Sequence, residues 1–278
     1  MRDRWFKQVD VFGRQRYQGN PVAVVLDADG VSDAAMAAFA RWTNLSETTF
    51  VLPPAAEGAD YRVRIFTPGG EIPFAGHPTL GTCHAWLEAG NTPHYPGVVI
   101  QECRAGLVTL HASAGMAAFG APPLVRSGEP EESVLKQAVE ALGITPGQVR
   151  AANWVDNGPG WLGLLLEDAE TVLSLAPDAS ALGALAVGVI APQADGAETD
   201  FEVRAFAPSH GVPEDPVTGS LNAGLAQWLI GAGMAPERYT VTQGTAVGRS
   251  GLVRIFSRDR KIWVGGETAT CIDGTVTL

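Results

Sequence analysis

The chain has 278 residues, of which 46% are hydrophobic and 18% are charged, a balance typical of one large globular domain or two domains of ordinary size. Its 19 basic and 30 acidic side chains give a net charge of -11, which argues against a nucleic-acid partner, because binding to phosphates needs clustered Lys and Arg. The 3 cysteines, odd in number and far apart, together with an N-terminus unlike a signal peptide, indicate a cytoplasmic protein with reduced thiols.

Membrane, metal and nucleotide sites are not expected. The longest apolar tract, "LGALAVGVIAP" at 182–192, is too short to span a bilayer and is predicted to be a buried strand. The sequence has no CxxC, HExxH, Walker loop or GxGxxG motif. We therefore expect a protein without metal, cofactor or membrane partner.

The first predicted helix spans residues 32–44 and precedes an isolated acid. Ser32 caps this helix, and Met36 and Phe39 face inward. The next segment, "NLSETTF", places Glu47 between small hydroxyl residues and an apolar strand. Such surroundings can raise the pKa of a carboxyl group towards neutrality, as a general acid–base catalyst requires. The alternative is an exposed loop glutamate.

A strand and a strongly apolar helix follow. The segment "DYRVRIFTP" at 60–68 alternates with period two, which is typical of a half-buried strand. From Pro78 to Gly90 the pattern predicts a helix so poor in polar residues that we expect sheet to enclose it. Hairpin spacing then predicts antiparallel strands in "VVIQECRAGLVTLHASAGMAAF".

The proline-rich segment "GAPPLVRSGEPEE" is the predicted join between a first half, residues 1–122, and a second half, residues 123–278. The second half is predicted to contain a helix at 133–143, a strand at 200–208 and an apolar helix opened by Pro216. Hairpin spacing is predicted again in the closing "KIWVGGETATCIDGTVTL", whose last strand is a candidate to pack back towards the first half.

An internal repeat connects the two halves. Residues 60–68 match residues 200–208 at an offset of 140, and "HPTLG" at 77–81 matches "DPVTG" at 215–219 at an offset of 138. Several landmarks in one order at similar offsets predict two similar halves, each with strands around one prominent helix.

If the halves face each other, the helix starts at His77 and Asp215 come to the same cleft. Helix N-termini present unpaired N–H groups, which suit an anion. Three glycines near these starts would allow a ligand to approach the backbone: Gly76, Gly81 and Gly219. The polar residues His77, Asp215 and Ser220 differ between the halves, and for His77 and Asp215 the alternative role is helix capping.

Five motifs in one order resemble the PhzF-like family of phenazine-biosynthesis isomerases, within the diaminopimelate-epimerase-like superfamily. They are "YQGNPVAVVLD", "NLSETTFVLP", "YRVRIFTPGGEIPFAGHPTLG", "EDPVTGSLNAGLAQWL" and "TQGTAVGRSG", and they cover essentially the whole chain. The resemblance implies an α+β fold of two pseudo-symmetric halves, each a mixed β-barrel-like sheet around a central helix, with the active site between them. It also implies a homodimer.

The same resemblance implies a set of site residues and a reaction. The implied catalytic residues are Glu47, His77, Asp215 and Ser220, and the implied contacts to a substrate carboxylate are Gly76, Thr218 and Gly219. We also assign Asn20, in the first motif, to substrate binding. The implied reaction is a cofactor-independent isomerisation in which Glu47 removes a proton from carbon of a small amino- or hydroxy-substituted carboxylic acid and returns it at another position.

Other functions are less compatible with the sequence. Amino-acid epimerases and racemases of the superfamily use two cysteines at the helix starts, whereas Cys83, Cys103 and Cys271 fall in helix or strand patterns and are better explained as core residues. A serine hydrolase is disfavoured because Ser220 is predicted within a helix and lacks a GxSxG turn. A non-catalytic carboxylate-binding protein remains the third alternative.

Overall fold

The computed structural model of the chain describes residues 1–113, 115–210 and 213–278. Its contacts divide the chain into two compact units: Met1–Gly120 with Gly265–Leu278 form unit 1, and Ala121–Val264 form unit 2. No helix in these described ranges is long and apolar enough to cross a membrane.

The elements of unit 1 alternate strands with two helices. In chain order they are β1 (Asp3–Val11), β2 (Asn20–Val25), α1 (Asp33–Thr43), β3 (Glu47–Leu52), β4 (Tyr61–Thr67), β5 (Gly70–Ile72), α2 (Gly76–Glu88), β6 (Val98–Cys103), β7 (Gly106–Ser113) and β8 (Met116–Gly120).

Unit 2 has more helices and a similar run of strands. In chain order its elements are β9 (Arg126–Gly128), α3 (Glu132–Leu142), β10 (Val149–Asp156), β11 (Trp161–Leu166), α4 (Ala169–Ser174), α5 (Ala179–Leu182), β12 (Ala186–Pro192), β13 (Phe201–Phe206), α6 (Gly219–Gly231), β14 (Arg238–Gln243) and β15 (Gly251–Arg258). The last strand, β16 (Lys261–Thr277), returns to unit 1 from Gly265 onward.

The sheet of unit 1 closes on itself. Its strands follow the order β1-β2-β3-β4-β6-β7-β8-β16, and β16 pairs with β1 to complete the ring, while β5 pairs with β4 outside it. Unit 2 has the order β15-β14-β13-β12-β11-β10-β9. Both sheets mix parallel and antiparallel neighbours, and each surrounds a helix, so the fold is α+β as the sequence predicts.

The predicted internal repeat is present in the strand pairing. In unit 1, Tyr61 of β4 lies opposite Gln101 of the parallel β6, and in unit 2, Phe201 of β13 lies opposite Val241 of the parallel β14. Each residue of the second pair follows its counterpart by 140 positions, since 201 − 61 and 241 − 101 both equal 140. The repeat therefore preserves register as well as strand order.

Both central helices are enclosed by sheet, as their composition predicts. Helix α2 packs against β1, β2, β3, β6, β7 and β8, and α6 packs against β10, β11 and β15. Gly81 is not available to a ligand, which corrects the expectation from the sequence: a Cβ there would lie 2.3 Å from Cγ1 of Val22, so this glycine permits close packing of α2 on β2.

Several predicted elements are confirmed. Ser32 caps α1 by accepting a hydrogen bond from the backbone N–H of Ala35 at 3.3 Å, and Met36 is buried. Helix α3 ends at Gly143, whose φ is 68°, in the left-handed region that suits glycine. The three strands β6, β7 and β8 pair antiparallel.

Three predicted boundaries are wrong. The closing segment is not a hairpin but part of one 17-residue strand, because Gly265 serves close packing rather than a turn: a Cβ on it would lie 2.7 Å from Cβ of Ala118. The buried strand predicted at 182–192 begins only at Ala186. Helix α6 begins at Gly219 and not at Pro216, since the residues between them form a separate turn.

Candidate functional site

Glu47 is the first residue of β3, directly after the turn that follows α1. Its backbone lies opposite Val22 of the parallel strand β2, and a 2.9 Å hydrogen bond between the Thr43 and Thr48 hydroxyls joins the end of α1 to the strand. The Glu47 side chain is only 15% exposed. The alternative of a solvated loop glutamate is therefore wrong.

His77 is the second residue of α2 and is almost fully buried. The N-cap position belongs to Ala75, so His77 does not cap the helix. The backbone of Pro21 forms a hydrogen bond with the imidazole, and because proline has no N–H, the ring must be the donor to its carbonyl oxygen. Burial lowers the pKa of His77 to about 3, so the ring is neutral at physiological pH.

The structure brings Glu47 and His77 together within unit 1. Nε2 of His77 lies 3.3 Å from Oε2 of Glu47, in a contact that is not aligned as a hydrogen bond. Nε2 makes no hydrogen bond within the described structure, so the nitrogen that donates to Pro21 is Nδ1. In this neutral tautomer Nε2 carries a lone pair directed at the carboxyl group.

Asn20 is adjacent in sequence to Pro21, the residue that binds the His77 ring. It is fully buried as the first residue of β2 and immediately precedes Pro21, which holds the His77 ring. The start of β2, the start of β3 and the first turn of α2 thus come together at one end of the barrel. A role of Asn20 in substrate binding stays a prediction.

In unit 2, Asp215 belongs to the turn that leads into α6. Its backbone N–H donates to the carbonyl of Ala205 at 2.9 Å, and its Oδ2 accepts a 2.6 Å hydrogen bond from the Thr218 hydroxyl. Thr218, not Asp215, occupies the N-cap position of α6. The capping alternative for Asp215 is therefore wrong, and its carboxylate is held by a neighbouring hydroxyl instead.

The N-termini of α2 and α6 lack a side-chain cap. The N-cap residues Ala75 and Thr218 make no side-chain cap hydrogen bond. Thr218 is a residue type that usually caps, but its hydroxyl is directed to Asp215. The terminal N–H groups near Gly76 and Gly219 consequently remain suited to an anionic ligand.

Ser220 is the second residue of α6, as His77 is of α2. The sequence repeat aligned His77 with Asp215, whereas the helix bounds align it with Ser220. The Ser220 hydroxyl accepts a 3.0 Å hydrogen bond from the indole N–H of Trp161, so its own proton can be donated elsewhere. The predicted helical position of Ser220 is confirmed.

The residues that hold these groups were not found from the sequence. Pro21 and Trp161 reach His77 and Ser220 across the fold, and no local pattern signals such contacts. That Glu47, His77, Asp215 and Ser220 act on one substrate stays a prediction.

The described residues offer neither a reactive cysteine in α2 nor a metal-binding cluster. Cys83 lies buried in α2, where burial raises the pKa of its thiol to about 12, far above the range of a reactive thiolate. Within residues 1–113, 115–210 and 213–278, no three His, Cys, Asp or Glu side chains are grouped to hold a metal ion.

The chain and its fold match a known class of protein. A family model described as "Phenazine biosynthesis-like protein" matches residues 9–274, and the chain belongs to this family. "Antisense-enhancing sequence 1" of Schizosaccharomyces pombe is 38% identical over 99% of both chains. "Trans-2,3-dihydro-3-hydroxyanthranilate isomerase" of Pseudomonas chlororaphis is 34% identical over 97% of this chain and 98% of its own.

A solved structure agrees with this assignment. The crystal structure of a phenazine biosynthesis protein of the PhzF family from Enterococcus faecalis has a TM-score of 0.83 and 28% identity, and the match covers 100% of both chains. The predicted membership of the PhzF-like family is thus confirmed over the full length.

Proposed function

We propose that the protein is an isomerase that moves a proton, and with it a double bond, on a small amino- or hydroxy-substituted carboxylic acid. The observation that carries the proposal is the buried pair of Glu47 and His77, whose Oε2 and Nε2 atoms lie 3.3 Å apart. The relatives named as trans-2,3-dihydro-3-hydroxyanthranilate isomerases support the reaction class.

Glu47 is the acid–base group in this proposal. When its carboxyl is ionised, Oε2 faces the lone pair of the neutral His77 ring, an unfavourable arrangement in a buried site. When Glu47 takes a proton from substrate carbon, the new O–H can donate to Nε2. The pair therefore strengthens Glu47 as a base, and the Glu47 carboxyl, which is 15% exposed, exchanges its proton with solvent before it protonates a second carbon.

The helix N-termini supply charge stabilisation. A substrate carboxylate bound at the N–H groups near Gly76, or at those near Gly219, would gain negative charge as the proton leaves carbon, and these groups would stabilise it. Asp215, Thr218, Ser220 and Asn20 would orient the amino, hydroxyl and carboxylate groups. This chemistry requires no metal or organic cofactor.

Proton transfer at carbon can be followed directly. We would incubate the protein with trans-2,3-dihydro-3-hydroxyanthranilate, and with other amino- and hydroxy-substituted cyclic carboxylic acids, in D₂O containing a chelator. The proposal predicts a shifted double bond with one carbon-bound deuterium, seen by NMR and mass spectrometry. Binding of these acids with no deuterium on carbon would instead favour the non-catalytic carboxylate-binding protein.

We further propose a homodimer in the cytoplasm. The family resemblance and the three free cysteines support this setting. Sedimentation equilibrium at micromolar concentration should give twice the mass of 29.1 kDa, and a monomer mass would refute the dimer.

A further inference from the structure

A buried glutamine, Gln243, lies at the centre of the turn that leads into α6. It is the last residue of β14, and its side chain is fully buried. Its Oε1 accepts from the Thr218 backbone N–H at 3.0 Å and from Nδ2 of Asn222 at 2.8 Å. Its Nε2 donates to the Asp215 carbonyl at 3.1 Å and to the Thr218 hydroxyl at 2.9 Å.

These four contacts use every donor and acceptor of the amide. The orientation of the amide is fixed by its partners: the Thr218 N–H can only donate, and the Asp215 carbonyl can only accept. Since the Thr218 hydroxyl accepts from Gln243, its own proton is free to be donated to Oδ2 of Asp215, 2.6 Å away.

We infer that Gln243 is a positioning residue, which fixes the Asp215 carboxylate through the Thr218 hydroxyl and fixes the Asp215 backbone directly. A glutamate at this position could still accept from Thr218 N–H, but it could not donate through nitrogen. The Thr218 hydroxyl could then donate to the new carboxylate instead, and the Asp215 carboxylate would lose this hydrogen bond.

The residue after Gln243, Gly244, is also adapted to this turn. Gly244 has a φ of 96°, and a Cβ there would lie 2.6 Å from the Pro216 carbonyl oxygen. Only glycine allows the end of β14 to approach Pro216 so closely with this backbone. In "TQG", Gln243 makes the hydrogen bonds to the turn, and Gly244 allows the backbone to approach it closely enough for these bonds to form.

A second buried glutamine, in unit 1, provides a control. Gln101 of β6 is also fully buried, and it accepts from the Tyr61 hydroxyl at 3.0 Å and donates to the Thr79 hydroxyl at 3.0 Å. Thr79 is the fourth residue of α2 and its backbone N–H donates to the Ala75 carbonyl at 3.3 Å, so Gln101 braces that helix and not the turn that carries Asp215. Both glutamines are thus fully buried, in β6 and in β14, but they differ in what they hold.

This inference rests on the proposed role of Asp215, and the test distinguishes a failure of that role from a failure of the positioning role of Gln243. We would compare Gln243→Glu, Gln101→Glu, Asp215→Ala and the Gln243→Glu/Asp215→Ala double variant, with trans-2,3-dihydro-3-hydroxyanthranilate as the probe. Gln243→Met, similar in length but without donor or acceptor, replaces Gln243→Glu if that variant does not fold.

We expect Gln243→Glu to lower kcat roughly tenfold to a hundredfold with little change in KM, as misplacement of a reacting group does. Gln101→Glu should lower thermal stability and lower kcat less than Gln243→Glu does, because Asp215 does not depend on Gln101. In the double variant the effect of Gln243→Glu should vanish, since its target is gone.

Each contrary result has a distinct meaning. If Asp215→Ala leaves kcat unchanged, the proposed role of Asp215 fails and this inference fails with it. If Asp215→Ala lowers kcat but Gln243→Glu does not, or if the two effects multiply in the double variant, the positioning role of Gln243 alone is overturned.

Discussion

Nε2 of His77 lies 3.3 Å from Oε2 of Glu47, at the point where the first turn of α2 meets the start of β3. The histidine is held from its other side by the Pro21 carbonyl and is neutral because it is buried. A buried carboxyl group next to a neutral nitrogen base is an arrangement suited to holding and releasing one proton.

The low pKa of His77 predicts a measurable pH dependence of stability. Between about pH 3 and 6.5 the unfolded chain binds a proton on this ring that the folded chain does not, so the free energy of unfolding rises with pH in this window and falls as pH drops. His77→Asn should remove this dependence. The free energy of unfolding of the variant minus that of the wild type should therefore be about 3 kcal/mol higher at pH 4 than at pH 7.5.

Urea titrations of both proteins at a series of pH values would measure this effect. The difference between their unfolding free energies cancels the titration of other carboxyl groups that the substitution leaves unchanged. A difference that does not vary between pH 7.5 and 4 would show that His77 is not held neutral by burial.

Glu202 in unit 2 should make stability depend on pH in the opposite direction. It is 1% exposed and accepts from Gln193 Nε2 at 3.0 Å and Thr245 Oγ1 at 2.9 Å, and burial raises its pKa to about 7. Between pH 4.5 and 7 the folded chain keeps a proton that the unfolded chain has lost, so stability falls as pH rises through this window.

Glu202→Gln should therefore gain stability relative to the wild type as pH rises, on the order of 2 kcal/mol between pH 4.5 and 8. The same urea titrations measure it. A variant whose stability relative to the wild type stays constant, or decreases, over this range would contradict a protonated Glu202 in the folded protein.

Gly81 should be intolerant of a side chain for reasons of packing. Gly81→Ala places a methyl group 2.3 Å from Val22 Cγ1, and the resulting shift of α2 on β2 should cost about 1–3 kcal/mol. Gly231→Ala is the matched control, because it also lies in a central helix but a Cβ there meets nothing within 4 Å. It should be neutral or slightly stabilising, and equal losses in both variants would contradict the packing argument.

Much of the fold could be predicted because local patterns encode it. The alternation in 60–68 and 200–208 indicated both strands β4 and β13, and the offset between them indicated the repeat that the pairing registers confirm. Hairpin spacing was less reliable: it predicted a hairpin in the closing segment, yet Gly265 packs against Ala118 within the single strand β16.

Two candidate site residues could be singled out from the sequence, but their contacts could not be predicted. "NLSET" and "GHP" identified Glu47 and His77 as unusual, and the structure places them side by side. Their supporting groups could not be found in this way, because Pro21 lies 56 positions before His77, since 77 − 21 = 56, and Gln243 lies 28 positions after Asp215. Such contacts depend on strand order, which a single sequence leaves open.

Glu47→Gln tests the central claim most directly. The amide keeps the shape of the side chain but cannot accept a proton from carbon, so deuterium incorporation from D₂O into trans-2,3-dihydro-3-hydroxyanthranilate should fall about a thousandfold or more, while the thermal midpoint and the affinity for the acid stay close to those of the wild type. Incorporation within a few-fold of the wild-type rate would contradict the assignment of Glu47 as the group that moves the proton.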